Sequence, residues 1–206
     1  MTHPAADRII GLYQDRAADW IRDRGAALRQ HEGDWDEVAW LDRFTAEWPS
    51  GGRVLDVGCG SGWPMGAALI DRGFQVTGLD ASSELIAHAR RTLPSGDWRL
   101  GDMREALPEG GFLGVLAWHS LFHLTPEAQV RVLPELAARV KHGGRLMFPA
   151  GPAHGEAIGE WRGEPLYPGS LAPDAYRSLL TQAGLTVETG GDQGVWLARR
   201  AILSAK

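Results

Sequence analysis

The stretch that most constrains this chain is Val54 to Gly62, VLDVGCGSG: a short apolar run, an acid, then glycines at 58, 60 and 62. Glycines so placed let the backbone turn tightly after a strand and pass under a ligand without Cβ contact. A strand–turn–helix of this kind belongs to an open α/β sheet, whose ligands lie beyond the carboxyl ends of its strands. The next apolar run, Gln75 to Leu79, ends at Asp80, where an acid can accept both hydroxyls of a ribose. The dinucleotide fingerprint G-x-G-x-x-G would also need glycine at position 63. Trp63 and Pro64 stand there instead, so a nicotinamide-dependent dehydrogenase is disfavoured.

The rest of the pattern agrees with a wound sheet. Strands are predicted at 54–57, 75–79, 98–100, 112–118 and 145–148, with helices at about 64–72, 82–93 and 125–141 between them. Thr125 is read as the cap of the last of these helices, with Val130, Leu133, Leu136, Ala137 and Val140 on its core side and Gly143-Gly144 as its stop. Residues 149–171 hold no periodicity and are expected to form one long loop, and loops of that length are usually functional or disordered. A helix at 173–183 and an antiparallel pair at 185–188 and 195–199 close the chain. The expectation is α/β: a doubly wound, mostly parallel seven-stranded sheet with an antiparallel last strand and helices on both faces. Residues 1–49 read as a polar helical segment broken at Gly33-Asp34, ahead of a second region, 50–206, within a single domain.

Composition narrows the classes of function. The 206 residues suit one domain, and the net charge of −5, with basic residues scattered, does not resemble a nucleic-acid footprint. The longest apolar run falls far short of the ~20 residues of a membrane span, and no signal-peptide core opens the chain. Cys59 is the single cysteine, and no clustered ligand set suggests a metal. The reading is a cytoplasmic protein without a nucleic-acid or membrane partner. With 27 Ala, 27 Gly and 19 of its 21 basic residues Arg, the chain suggests a GC-rich bacterial source.

Four segments, in order, carry a resemblance: VLDVGCGSG at 54–62, TGLDAS at 77–82, Gly101-Asp102-Met103, and the later run through Phe112–Leu124 and Arg139–Leu146. Together they resemble class I S-adenosylmethionine-dependent methyltransferases over about residues 52–150. The resemblance implies a Rossmann-like fold and S-adenosylmethionine as cofactor. It places Asp56 near the cofactor's amino group and the backbone of Gly58, Cys59, Gly60 and Gly62 around its methionine moiety. Asp80 would take the ribose hydroxyls, Ala81 would pack on the adenine, and Asp102 and the Met103 amide would meet the adenine edge. Trp118 belongs to the same set. Asp56 as a turn cap, Met103 as plain core and Cys59 as a buried spacer remain the structural alternatives.

The acceptor side is less defined. His119 follows the fourth strand and is either a general base, with an ordinary pKa near 6.5, or a structural histidine. His123 is read as structural, with the pocket as its alternative. Tyr13 and Trp20 lie on an N-terminal segment that folds over the cofactor as a lid in many relatives, or they are core. In the long loop, His154, Glu156, Trp161, Glu164 and Tyr167 lie where a small polar or cationic acceptor would sit. The expected function is in-line methyl transfer to a small-molecule O or N acceptor. The alternatives are a non-catalytic module that binds S-adenosylmethionine or S-adenosylhomocysteine and, behind it, the dehydrogenase. The acceptor itself and the oligomeric state are not legible.

Overall fold

The computed structural model describes residues 4–30, 36–191 and 194–202, and the Gly33-Asp34 break lies outside them. The chain opens with three short helices, α1 (Pro4–Asp7), α2 (Ile9–Asp15) and α3 (Ala17–Arg24), followed by α4 (Glu37–Thr45). Then come β1 (Arg53–Val57), α5 (Met65–Asp71), β2 (Gln75–Asp80), α6 (Ser83–Thr92), β3 (Asp97–Leu100) and β4 (Phe112–Leu116). A 3-10 turn at Leu121–His123 leads to α7 (Pro126–Ala138) and β5 (Val140–Pro149). After four short strands, β6 (Gly155–Glu156), β7 (Gly159–Trp161), β8 (Glu164–Leu166) and β9 (Gly169–Ser170), the chain ends with α8 (Pro173–Gln182), β10 (Leu185–Thr189) and β11 (Val195–Arg200).

The main sheet has seven strands in the order β10-β11-β5-β4-β1-β2-β3. Only β11 runs antiparallel, against both β10 and β5, as the sequence pattern predicts. Strands buried on both faces need apolar side chains on both, and β1 provides them. Val54 points into a core with Phe44 of α4, Met65 and Leu69 of α5 and Ile86 of α6. Leu55 and Val57 point into a second core with Leu133 and Leu136 of α7 and Leu180 of α8. The order reverses beside β1, so the carboxyl ends of β1, β2 and β4 open onto one crevice. No helix among the described residues is long and apolar enough to cross a membrane.

Three expectations are corrected. The helix at 125–141 stops at Ala138, and Val140–Gly144 belong to β5, which absorbs Gly143-Gly144 through a register shift against β4. Its cap is real, since Thr125 Oγ1 accepts the Ala128 N–H at 3.3 Å. Val130, placed on the core side, is 44% exposed instead, because the buried stripe runs through Ala128, Val132, Leu133 and Leu136. The expected loop at 149–171 is a pair of small antiparallel ribbons, β6 with β9 and β7 with β8. Strands of two and three residues are too short to show an alternation.

Candidate active site

A cavity of about 360 Å³ lies at the carboxyl ends of β1, β2 and β4. Its floor is the turn after β1. The Gly60 amide donates to Asp80 Oδ2 at 2.8 Å, and the Ser82 amide donates to Asp80 Oδ1 at 2.9 Å. Asp80 thus ties the glycine turn to the end of β2 and keeps further lone pairs toward the cavity. Burial pushes its pKa up, while the amides beside it work against that. Gly58 has φ +70° and could not carry a side chain, because its Cβ would sit 2.2 Å from Ser120 Cβ. Gly60 has φ +57°, and its Cβ would meet the Trp20 ring at 2.5 Å. Both positions need glycine, for their backbone conformation and because Ser120 and Trp20 already fill the space of a Cβ.

Asp56, at the end of β1, is 2% exposed, and its pKa is pushed up to about 7 by burial and by the charge of Asp80, against the pull of Arg24. Cys59 is buried on the cavity wall, and burial pushes its thiol well above the ordinary range, so it is no nucleophile. Ala81, Met103 and Trp118 line the cavity. Asp102 does too, but Arg104 already grips it, Nη2 donating to Oδ2 at 2.6 Å and the backbone amide to Oδ1 at 2.8 Å. Burial raises the Asp102 pKa and the Arg104 contacts lower it, with the lowering dominant. Gly62 and Tyr167, among other expected residues, stand outside the lining. A Cβ on Gly62 would face Trp98 and Leu93, so that glycine admits helix packing and not ligand. Tyr167 is fully buried behind the wall, its hydroxyl donating to Glu156.

The wall opposite comes from distant parts of the chain. His119 has φ +52°, uncommon for a residue with a Cβ, and its ring lies edge-on between Trp118 and Phe122. Burial, with Arg24 and Arg29 adding to it against Glu37, pushes its pKa down to about 4. His123 Nδ1 lies 2.9 Å from the Tyr167 carbonyl oxygen, and His123 Nε2 lies 2.9 Å from the Tyr13 hydroxyl. Tyr13 stacks on Trp161, with centroids 6.1 Å apart, and meets Trp20 edge-on. Ion pairs fasten the N-terminal helices to the β7–β8 ribbon. Arg162 donates twice to Asp23 at 2.7 Å, Trp161 Nε1 donates to the same carboxylate at 3.0 Å, and Arg16 reaches Glu164 at 3.1 Å. Of the five loop candidates, only Trp161 lines the cavity; Glu156 and Glu164 are held by Tyr167 and Arg16, and His154 is exposed.

Sequence reasoning missed a buried pair beside Asp56. Arg24 donates to Glu37 Oε1 at 2.6 Å, and Glu37, 1% exposed, also accepts from Trp118 Nε1 and the Arg29 amide. Arg24 lines the cavity, and its Nη1 is buried without a hydrogen-bond partner among the described residues. A buried donor left unpaired costs roughly 1–3 kcal/mol, more when charged, which marks it as a place for an anion. No spacing rule links positions 24 and 37 across two helices. Among the described residues, no group of three or more His, Cys, Asp or Glu could hold a metal.

Residues 54–144 match the model of a family described as a methyltransferase domain. A ubiquinone biosynthesis O-methyltransferase of Xanthomonas axonopodis pv. citri (strain 306) is 36% identical over 107 residues, 48% of this chain and 43% of that protein. The chain spans about half the length of the curated relatives it matches. Among solved structures, DhpI in complex with SAH superposes with a TM-score of 0.71 at 21% identity, covering 98% of this chain and 99% of that one. SpnF, described as a [4+2]-cyclase, superposes with a TM-score of 0.65 at 17% identity, covering 98% and 99%. Residues 54–144 are thus similar to a methyltransferase domain, and the seven-stranded sheet built around them shares the Rossmann-like fold of these solved structures.

Proposed function

We propose that the protein is an S-adenosylmethionine-dependent methyltransferase that acts on a small-molecule N or O acceptor by in-line transfer. The observation that carries this reading is a pair of oppositely charged side chains lining the cavity, one from α3 and one from the floor. Arg24 offers a buried, unpaired guanidinium nitrogen, and Asp56 offers a buried carboxyl beside the glycine turn. An amino acid end, with one carboxylate and one ammonium, fits that pair and little else does. Asp80, Ala81, Met103, Asp102 and Arg104 all line the cavity; Asp80 would take the ribose hydroxyls, Ala81 and Met103 would flank the adenine, and Asp102 with Arg104 would border its edge. When bound, S-adenosylmethionine supplies a methyl group on a positively charged sulfur.

The chain's own part is to bind, align and exclude water. Trp118, His119, Phe122, Tyr13 and Trp161 wall off the space beyond the turn and give it an aromatic lining that favours positive charge. We read α1–α3 within residues 1–49 as a lid over the binding region, 50–206. His119 is proposed to face the acceptor. With its pKa near 4 it is neutral at physiological pH and too weak a base to drive deprotonation, so orientation is its main task. A net charge of −5 and the absence of a basic cluster favour a small molecule over nucleic acid, in the cytoplasm.

Calorimetry tests the reading. S-adenosylmethionine and S-adenosylhomocysteine are expected to bind in the micromolar range, about −7 to −8 kcal/mol. Binding of NAD with neither of these would sink it. A second reading, a domain on this fold with other chemistry or none, draws support from the likeness to SpnF, a [4+2]-cyclase. Release of S-adenosylhomocysteine during turnover of a metabolite pool separates the two.

A further inference from the structure

One hydrogen-bond chain in the cavity wall fixes the direction of its protons. The Tyr167 backbone carbonyl can only accept, so His123 Nδ1, 2.9 Å away, must carry the proton of the bond between them. In the neutral ring, His123 Nε2 then holds a lone pair, and the Tyr13 hydroxyl, 2.9 Å away, must donate to it. His123 is buried, and its surroundings oppose the imidazolium that would reverse this order, its pKa lying down at about 4. The Tyr13 proton is therefore committed to the protein. What the hydroxyl presents to the cavity is oxygen lone pairs, which meet no donor among the described residues. Burial and the Asp80 charge hold the phenol protonated, so the group keeps this character.

Building on the methyltransferase reading, we propose that Tyr13 Oη accepts a hydrogen bond from the nucleophile, and that the acceptor is a neutral amine. A group that only accepts selects a nucleophile that bears a proton. Carboxylate, thioether and tertiary amine acceptors have none to give, and a carboxylate would set lone pairs against lone pairs. An amine keeps its own lone pair free for the methyl group while one N–H is held by Tyr13. The new N–C bond forms as the C–S bond breaks, the C–S electron pair stays on sulfur, and the positive charge passes to nitrogen. The N–H···O bond then becomes charge-assisted, so it tightens as transfer proceeds. Trp161 and Phe122 line the same cavity, and aromatic rings there suit the ammonium that forms. A hydroxyl nucleophile would instead have to shed its proton through Tyr13 onto His123, in a site that resists that cation. The excess proton of the amine product leaves to water after release.

His123 is the positioning residue here, and its tautomer is directly readable. Nitrogen NMR of the whole protein at neutral pH should show His123 as the neutral Nδ1–H form, and in Tyr13→Phe its Nε2 signal should move as the hydrogen bond is lost. Tyr13→Phe keeps the ring that stacks on Trp161, and an unchanged Tm checks that the fold survives. With S-adenosylhomocysteine bound, aniline should bind about tenfold tighter than N,N-dimethylaniline, its capped counterpart, and Tyr13→Phe should erase that preference. With S-adenosylmethionine, aniline nitrogen should be methylated faster than phenol oxygen. His123 in the Nε2–H form overturns the proposal. So does equal binding of the capped and uncapped probes, a preference that survives in Tyr13→Phe, phenol methylated at least as fast as aniline, or transfer to neither. Failure of S-adenosylhomocysteine to bind the wild type would strike the methyltransferase reading itself, whereas the His123 tautomer is measured without any ligand.

Discussion

The floor and the outer wall of the cavity are built on different principles. The floor is local: Asp56 to Gly62 and Asp80 to Ser82 leave adjacent parallel strands, and backbone amides tie one turn to the other. The wall is assembled from afar, since Tyr13 meets His123 across 110 positions and Asp23 meets Arg162 across 139. The floor is backbone and buried carboxylate, and it tolerates almost no change. The wall is aromatic rings and partly exposed ion pairs, and each piece can alter without disturbing the sheet.

The comparison breaks first if the floor proves tolerant. Gly60→Val should reduce cofactor affinity by about a hundredfold or more, because a branched Cβ at φ +57° strains the turn and drives into the Trp20 ring that lines the cavity. Calorimetry showing normal binding would mean the turn is no cradle. Arg24→Leu should weaken binding by about tenfold to a hundredfold and lower stability by about 3–5 kcal/mol, since Glu37 is left buried and unpaired. Pairing it with Glu37→Gln should recover much of the stability in denaturant melts but not the affinity.

A pH series sharpens the same contrast. Asp56 titrates near 7 in the folded protein against an ordinary 3.8, so the free protein holds a proton there below pH 7. Binding an ammonium requires the carboxylate and expels that proton. Affinity should therefore climb by up to about tenfold per pH unit toward 7, then level off, and Asp56→Asn should flatten the curve. The raised pKa also means that the free protein's stability from this group is complete below about pH 4 and lost as pH rises through 7.

Changes in the wall should be milder. His119→Asn is expected to lower kcat about tenfold, well short of the 10²–10⁴ of a tuned base, with cofactor affinity unchanged within a few-fold. Any acidic limb it contributes to the pH–rate profile should fall near pH 4 and not near 6.5. Arg162→Ala should change least, raising the dissociation rate of S-adenosylhomocysteine a few-fold, with added salt mimicking it in stopped-flow traces.

How much was legible in the sequence follows the same division. The turn after β1, the acid ending β2, and the Thr125 cap are local patterns, and one short stretch of chain contains each signal. The end of α7 was misplaced because Val140 continues the helical spacing while its neighbours in space place it in β5. Val130 fits an apolar stripe by spacing and yet faces solvent, since the stripe drifts by one position around α7. The ribbons at 155–170 carry too few residues for any period. Arg24 and Glu37 were invisible for a deeper reason. A buried ion pair is defined by two charges meeting without water, and neither residue looks different from a surface charge until the fold brings them together.

The tie between Asp23 and Arg162 has a consequence for the order in which the molecule is made and comes apart. Helices α1, α2 and α3 contain four, seven and eight residues, too short to persist alone in water. Their fastening partners, Trp161, Arg162 and Glu164, follow some 140 positions later in the chain and leave the ribosome after them. These helices are thus synthesised before the partners that order them. In the finished protein they should also be the first to let go, and amide hydrogens of α2 and α3 should exchange through their undocking, long before those of β1 and β4.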